Sequence, residues 1–128
     1  MPTYRLVLSI FFLSFLLPQS SVAQSKEIDS LQNVISTTKD DTVKVNTLLE
    51  LAKKYYGSDP QKSIRFAELA NDLAVKSKLA SESATALKSI GIGYYLQGKS
   101  IETLEYWELS LALFDSIGDK TGVANILS

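Results

Sequence analysis

Three glutamates, Glu102, Glu105 and Glu108, recur at every third residue. On a helix that spacing sets them along one side, where carboxylates could hold a cation or share acid and base roles. The chain contains no histidine and no cysteine to complete such a site. Helix-borne metal centres usually add His to Glu, a thiolate nucleophile needs Cys, and the common general base near neutral pH is His. The glutamate stripe therefore reads as a solvated face, and no pair of acids has a spacing that specifies carboxylate hydrolysis. We expect no metal, no cofactor and no enzyme. Gly91-x-Gly93 lacks the third glycine of a dinucleotide loop and sits inside a helical pattern, so it reads as packing. Asp40-Asp41 stands just before an apolar-periodic run and reads as helix capping.

Composition narrows the class further. Hydrophobic residues at 45% with 21% charged residues are the proportions of a folded globular chain. A net charge of −1 gives no basic footprint for nucleic acid. Absence of Cys excludes a disulfide framework and lipid attachment at a cysteine.

The first segment reads as an address. Residues 6–17, LVLSIFFLSFLL, follow Arg5 and stop at Pro18. Such a run falls short of the ~20 residues a membrane span needs and fits the apolar core of a secretory signal. Ser21-Val22-Ala23-Gln24 supplies small residues at alternate positions, so cleavage is expected after Ala23. Residues 1–23 thus read as a signal peptide, with an uncleaved amino-terminal anchor as the alternative. The mature chain is expected to begin near Gln24, to have no membrane span and to be periplasmic or secreted.

What remains must be built from helices. Residues 24–27 are a polar spacer, and Ile28, Leu31, Val34 and Ile35 then mark a capping helix and linker within 24–41. Val45, Leu48, Leu51, Ala52 and Tyr55 have the spacing of an amphipathic helix. Gly57-Ser58-Asp59-Pro60 breaks it, with Asp59 as N-cap and Pro60 in the first turn of the next. That next helix buries Ile64, Ala67, Leu69 or Ala70, Leu73 and Ala74, and the short turn makes the pair antiparallel. A second pair follows, with Leu87, Ile90-Gly91 and Tyr94 in its first helix. Its second helix carries Ile101, Leu104, Trp107 and Leu111, with Thr103 and Ser110 between them.

The second pair repeats the first. Leu48, Leu51-Ala52 and Tyr55 return, at one constant offset, as Leu87, Ile90-Gly91 and Tyr94. In the second helices Ser63, Glu68, Ala70 and Ala74 return as Thr103, Glu108, Ser110 and Phe114, the offset lengthened by a single position in the intervening turn. Ala124 with Leu127 opens a third copy. The copies span about 42–79, 80–119 and 120–128.

This alternation of apolar, small and tyrosine positions, followed by small residues seven apart, resembles the tetratricopeptide repeat. In that family the first helix has a Leu-Gly or Leu-Ala pair followed by Tyr, here Leu51-Ala52 with Tyr55 and Ile90-Gly91 with Tyr94. The second has two small residues flanking an aromatic, here Thr103 and Ser110 around Trp107. Ser63 and Ala70 are the small pair of the first copy, with Ala67 where Trp107 stands. The period exceeds the family's usual ~34 residues. The resemblance covers residues 42–128 and implies an all-α fold of antiparallel hairpins stacked as a right-handed solenoid. It makes Leu48, Leu51, Ala52, Tyr55, Leu87, Ile90, Gly91, Tyr94 and Trp107 stacking residues.

The resemblance also implies a function, a concave groove on the first helices that binds a protein or peptide. Projecting 3.6 residues per turn from the stacking positions leaves Asn46, Leu49, Lys53 and Tyr56 on the adjoining face. Thr85, Lys88, Ile92 and Tyr95 form the next row, and Asn125 starts a third. Rings offer area, lysines meet acidic groups and Asn bonds backbone. The alternative reading is the exported front end of a longer signalling protein with a histidine kinase, nucleotide cyclase or DNA-binding output. Such stacks usually need at least three repeats. An edge at Leu104, Trp107 and Leu111 is therefore expected to weaken the segment alone or to favour self-association.

Overall fold

The structure, a computed structural model, describes residues 22–128. The apolar leader at 6–17 and Ser21 of the cleavage motif lie outside the described residues. Among the described residues the fold is all-α, six helices with no strand. No helix among them is long and apolar enough to cross a membrane. The helices are α1 over 22–37, α2 Asp41–Lys54, α3 Pro60–Lys76, α4 Ala80–Leu96, α5 Ser100–Ser116 and α6 Lys120–Leu127. The chain divides between Ser30 and Leu31, and the packing below is that of Leu31–Ser128.

Local chemistry sets most of the boundaries. Residues 24–27, expected as a spacer, are helical, since Gln-Ser-Lys-Glu contains neither Gly nor Pro to stop a helix. Asp40 caps α2, its carboxylate accepting from the Val43 amide at 3.0 Å. Asp41 is not a second cap. It is already helical, and its carboxylate takes the Ser77 hydroxyl at 2.6 Å, tying the start of α2 to the end of α3. Asp59 caps α3 by accepting from the Lys62 amide, with Pro60 in the first turn. Asp119 caps α6 by accepting from the Gly122 amide.

The exits of α3, α4 and α5 share one device, a left-handed residue just past the helix. These are Lys78 (φ 58°), Gly98 (φ 73°) and Gly118 (φ 72°). Lys78 stands one repeat before Gly118, so the same turn is built once with glycine and once with a side chain that makes it strained.

From α2 onward each helix packs on its sequence neighbour, and α2 also packs on α4. One core cluster joins Val45, Leu48, Leu49, Ala70, Ala74 and Ala86, with Ile35, Phe66, Leu73 and Leu79 against it. A second joins Ala52, Ile64, Ala67 and Ile90, with Phe66, Tyr94 and Tyr106. Leu69 is 54% exposed and Ala70 fully buried, which settles the choice between them in α3.

On α5 the edge expected at Leu104, Trp107 and Leu111 is met only at Leu104. Ile101 and Leu104 are 73% and 58% exposed, and Leu111 is half-buried. The buried positions are Thr103, Ser110 and Phe114. Small side chains let α5 approach α4 closely, and Ser110 donates to the Ala84 carbonyl at 2.6 Å. Trp107 is not on an open edge either. Its ring covers Gly91, where an added Cβ would lie 2.3 Å from Trp107 Cδ1, and its Nε1–H reaches the Lys88 carbonyl at 3.3 Å.

The repeat is visible as geometry. Tyr55 stacks on Phe66 at 5.6 Å between centroids, and Tyr94 on Tyr106 at 5.5 Å, one repeat later in both partners. Lys62 lies over the Tyr55 ring and Lys99 over that of Tyr94.

Candidate functional site: the groove between α2 and α4

The contact of α2 with α4 sets one face of each helix side by side. Burial of Val45, Leu48 and Ala52 on one helix and Ala86 and Ile90 on the other fixes their rotation. The adjoining faces then open into a groove of about 370 Å³. Asn46, Leu49, Glu50 and Lys53 line it from α2, with Tyr56 from the turn that follows. Thr85, Lys88, Ser89 and Ile92 line it from α4.

Seven of the residues projected from sequence thus come together: Asn46, Leu49, Lys53, Tyr56, Thr85, Lys88 and Ile92. Leu49 is also part of the core at 5% exposure, so it offers the groove little more than its edge. Tyr95 does not line the groove. It is 64% exposed and its ring stacks on Trp107 at 6.1 Å, because the aromatic on α5 draws it toward that helix. Asn125, on α6, meets the row only through its backbone, its carbonyl accepting from Lys88 Nζ at 2.9 Å.

Sequence reasoning missed Glu50 and Ser89, although spacing held the signal. Asn46, Glu50 and Lys53 stand at i, i+4 and i+7, and so, one repeat later, do Thr85, Ser89 and Ile92. Both are polar residues beside apolar neighbours, and attention to the stacking positions passed over them.

Across the groove the hydroxyl of Tyr56 lies 2.8 Å from Ser89 Oγ, a hydrogen bond between hairpins. Burial raises the Tyr56 pKa above its ordinary 10.0, against smaller lowering effects from the Ser89 bond and nearby Lys53. The phenol therefore stays neutral and available as donor or acceptor. Glu50 and Lys53 form an ion pair at 3.0 Å with both side chains more than half exposed, so it adds little stability and can open to a ligand. Lys88 caps a carbonyl in the last turn of α6, where a cation suits the helix dipole. The hydroxyl of Thr85 donates to its own helix at Ser81.

The groove presents apolar edges at Leu49 and Ile92, one neutral phenol, an amide, a buried hydroxyl and lysines at the rim. Among the described residues no group of three His, Cys, Asp or Glu could hold a metal, the Glu102, Glu105 and Glu108 stripe included. Compared with protein-family models, with curated proteins and with solved structures, the chain matches none of them.

Proposed function

We propose that this chain is a tetratricopeptide-like stack that binds an extended or helical peptide of another protein in the α2–α4 groove, without catalysis. One observation carries the reading. Positions related by the repeat, Asn46, Glu50 and Lys53 with Thr85, Ser89 and Ile92, meet in a single open groove spanned by the Tyr56–Ser89 hydrogen bond. Its mixture of apolar edge and convergent polar groups is what a peptide site requires.

The test is selection of displayed random peptides on the purified chain, followed by calorimetric titration of the enriched sequences. Ile92→Asp and Lys53→Glu should each weaken those peptides by about tenfold or more, with helicity unchanged by circular dichroism. If no peptide is enriched, or both variants bind as the parent does, the groove is not a peptide site.

A further inference from the structure

We infer, resting on the reading of the α2–α4 groove as a peptide site, that the bound peptide carries an acidic side chain within its sequence and that the Tyr56 hydroxyl selects it by donating a hydrogen bond to its carboxylate.

Two hydroxyls meet in this groove with one hydrogen to spare. Tyr56 and Ser89 share a single hydrogen bond at 2.8 Å, and neither hydroxyl makes another among the described residues. The pair holds two hydrogens and the shared bond uses one, so one O–H has no acceptor within the protein. Burial decides which one. Ser89 is 5% exposed, and a spare donor on it would be cut off from water at a cost in stability. Tyr56 is half-buried and lines the groove. Ser89 therefore donates to the phenol oxygen, and the phenol turns its own hydrogen to the groove. The repeat supplies this donor once, because Tyr95, the equivalent of Tyr56, stacks on Trp107 outside the groove.

Charge specifies the acceptor. Lys53 and Lys88 line the groove against Glu50 alone. That glutamate is already engaged by Lys53 at 3.0 Å, and of these two charges Lys53 bears more strongly on the phenol. The lining thus offers cations and a free O–H while its one carboxylate is taken, so the complementary group is an anionic acceptor. A carboxylate arriving at Tyr56 can also draw Lys53 away from Glu50, since that exposed pair is worth little by itself.

Peptides selected on the purified chain should share one position held by Asp or Glu. Copies of an enriched peptide with glutamate, glutamine or leucine at that position are then titrated by calorimetry, their ends amidated so that no terminal carboxylate is the recognised group. Glutamate should bind at least about tenfold more tightly than leucine, with glutamine between them. Tyr56→Phe, which keeps the ring, should erase the glutamine–leucine gap and shrink the glutamate–leucine gap. Ser89→Ala, which loosens the phenol without removing its hydrogen, should shrink both gaps and erase neither. Lys53→Gln and added salt should each narrow the glutamate–glutamine gap. A bond that only shaped the groove would weaken all the copies alike and leave the gaps unchanged. Enriched peptides with no shared acidic position, equal binding of the copies, or gaps that survive Tyr56→Phe would overturn the inference and leave the peptide site standing. Enrichment of no peptide would overturn the peptide site itself, and this inference with it.

Discussion

A single methyl group measures how closely α4 and α5 fit. Added to Gly91 it would lie 2.3 Å from Trp107 Cδ1 and 2.4 Å from Nε1, inside any real contact distance. The indole is held by its bond to the Lys88 carbonyl and by Tyr95 stacked on it, so it has little freedom to move aside. Gly91→Ala should therefore destabilise the chain by ~1–3 kcal/mol in urea unfolding. Combined with Trp107→Leu, its cost should be less than the sum of the two single changes. Sequence alone identified Gly91 as a close-approach position, since a glycine amid helical residues has few other uses. It could not show that Tyr95 would leave the groove. Tyr56 and Tyr95 occupy equivalent positions, and the Ser89 hydroxyl that holds the first and the aromatic at Trp107, where the first repeat has Ala67, that holds the second separate their fates.

At the scale of elements, the tie between α2 and α4 has a consequence for pH. Burial holds the folded Tyr56 pKa above 10.0, and Tyr94 is raised as well, first by burial and then by Tyr106, Glu68 and Glu102. A raised folded pKa means the folded state keeps its proton longer than the unfolded one. That stability is fully present below the unfolded value and is lost as pH climbs through the folded one. The urea midpoint should fall as pH rises above the ordinary tyrosine value of 10.0, and Tyr56→Phe should reduce that fall without removing it, Tyr94 supplying the rest. An equal fall in the variant would deny Tyr56 this part.

Helix placement was largely legible because Asp40, Asp59-Pro60 and Gly98 punctuate the chain. The inner face of α5 was not. Ile101, Leu104, Leu109, Leu111 and Leu113 put apolar residues around most of its circumference, so periodicity could not choose a side. Closeness to α4 chose it, in favour of Thr103, Ser110 and Phe114. Along α2 and α4 the projection worked better, because those helices carry a clear small-residue seam at Ala52, Ala86 and Gly91.

Over the whole molecule, stability should follow the order of packing. α4 contacts α2, α3 and α5, whereas α6 is eight residues long and packs mainly on α5. Nearest-neighbour stacks lose structure first where an element has the fewest partners. In native-state hydrogen exchange, amides of α6 should exchange at least about tenfold sooner than those at the centre of α4, a gap of ~1.4 kcal/mol in local stability. Uniform exchange across both helices would mean that the unit opens as one.

The two interfaces that α5 makes are matched by size, and the match does not repeat. Phe114 lies on Gly122 of α6, where an added Cβ would be 2.3 Å from the ring. One repeat earlier the same pair of positions is Ala74 with Glu82. Large against absent has been exchanged for small against long. An engineer who lengthened this protein by copying residues 80–119 end to end would carry Gly91 and Trp107 together inside every copy. Each Phe114 would instead meet the Glu82 of the following copy. The array would jam at every junction until that glutamate became glycine, so the hairpin is a fitted part for one place in the chain and not an interchangeable tile.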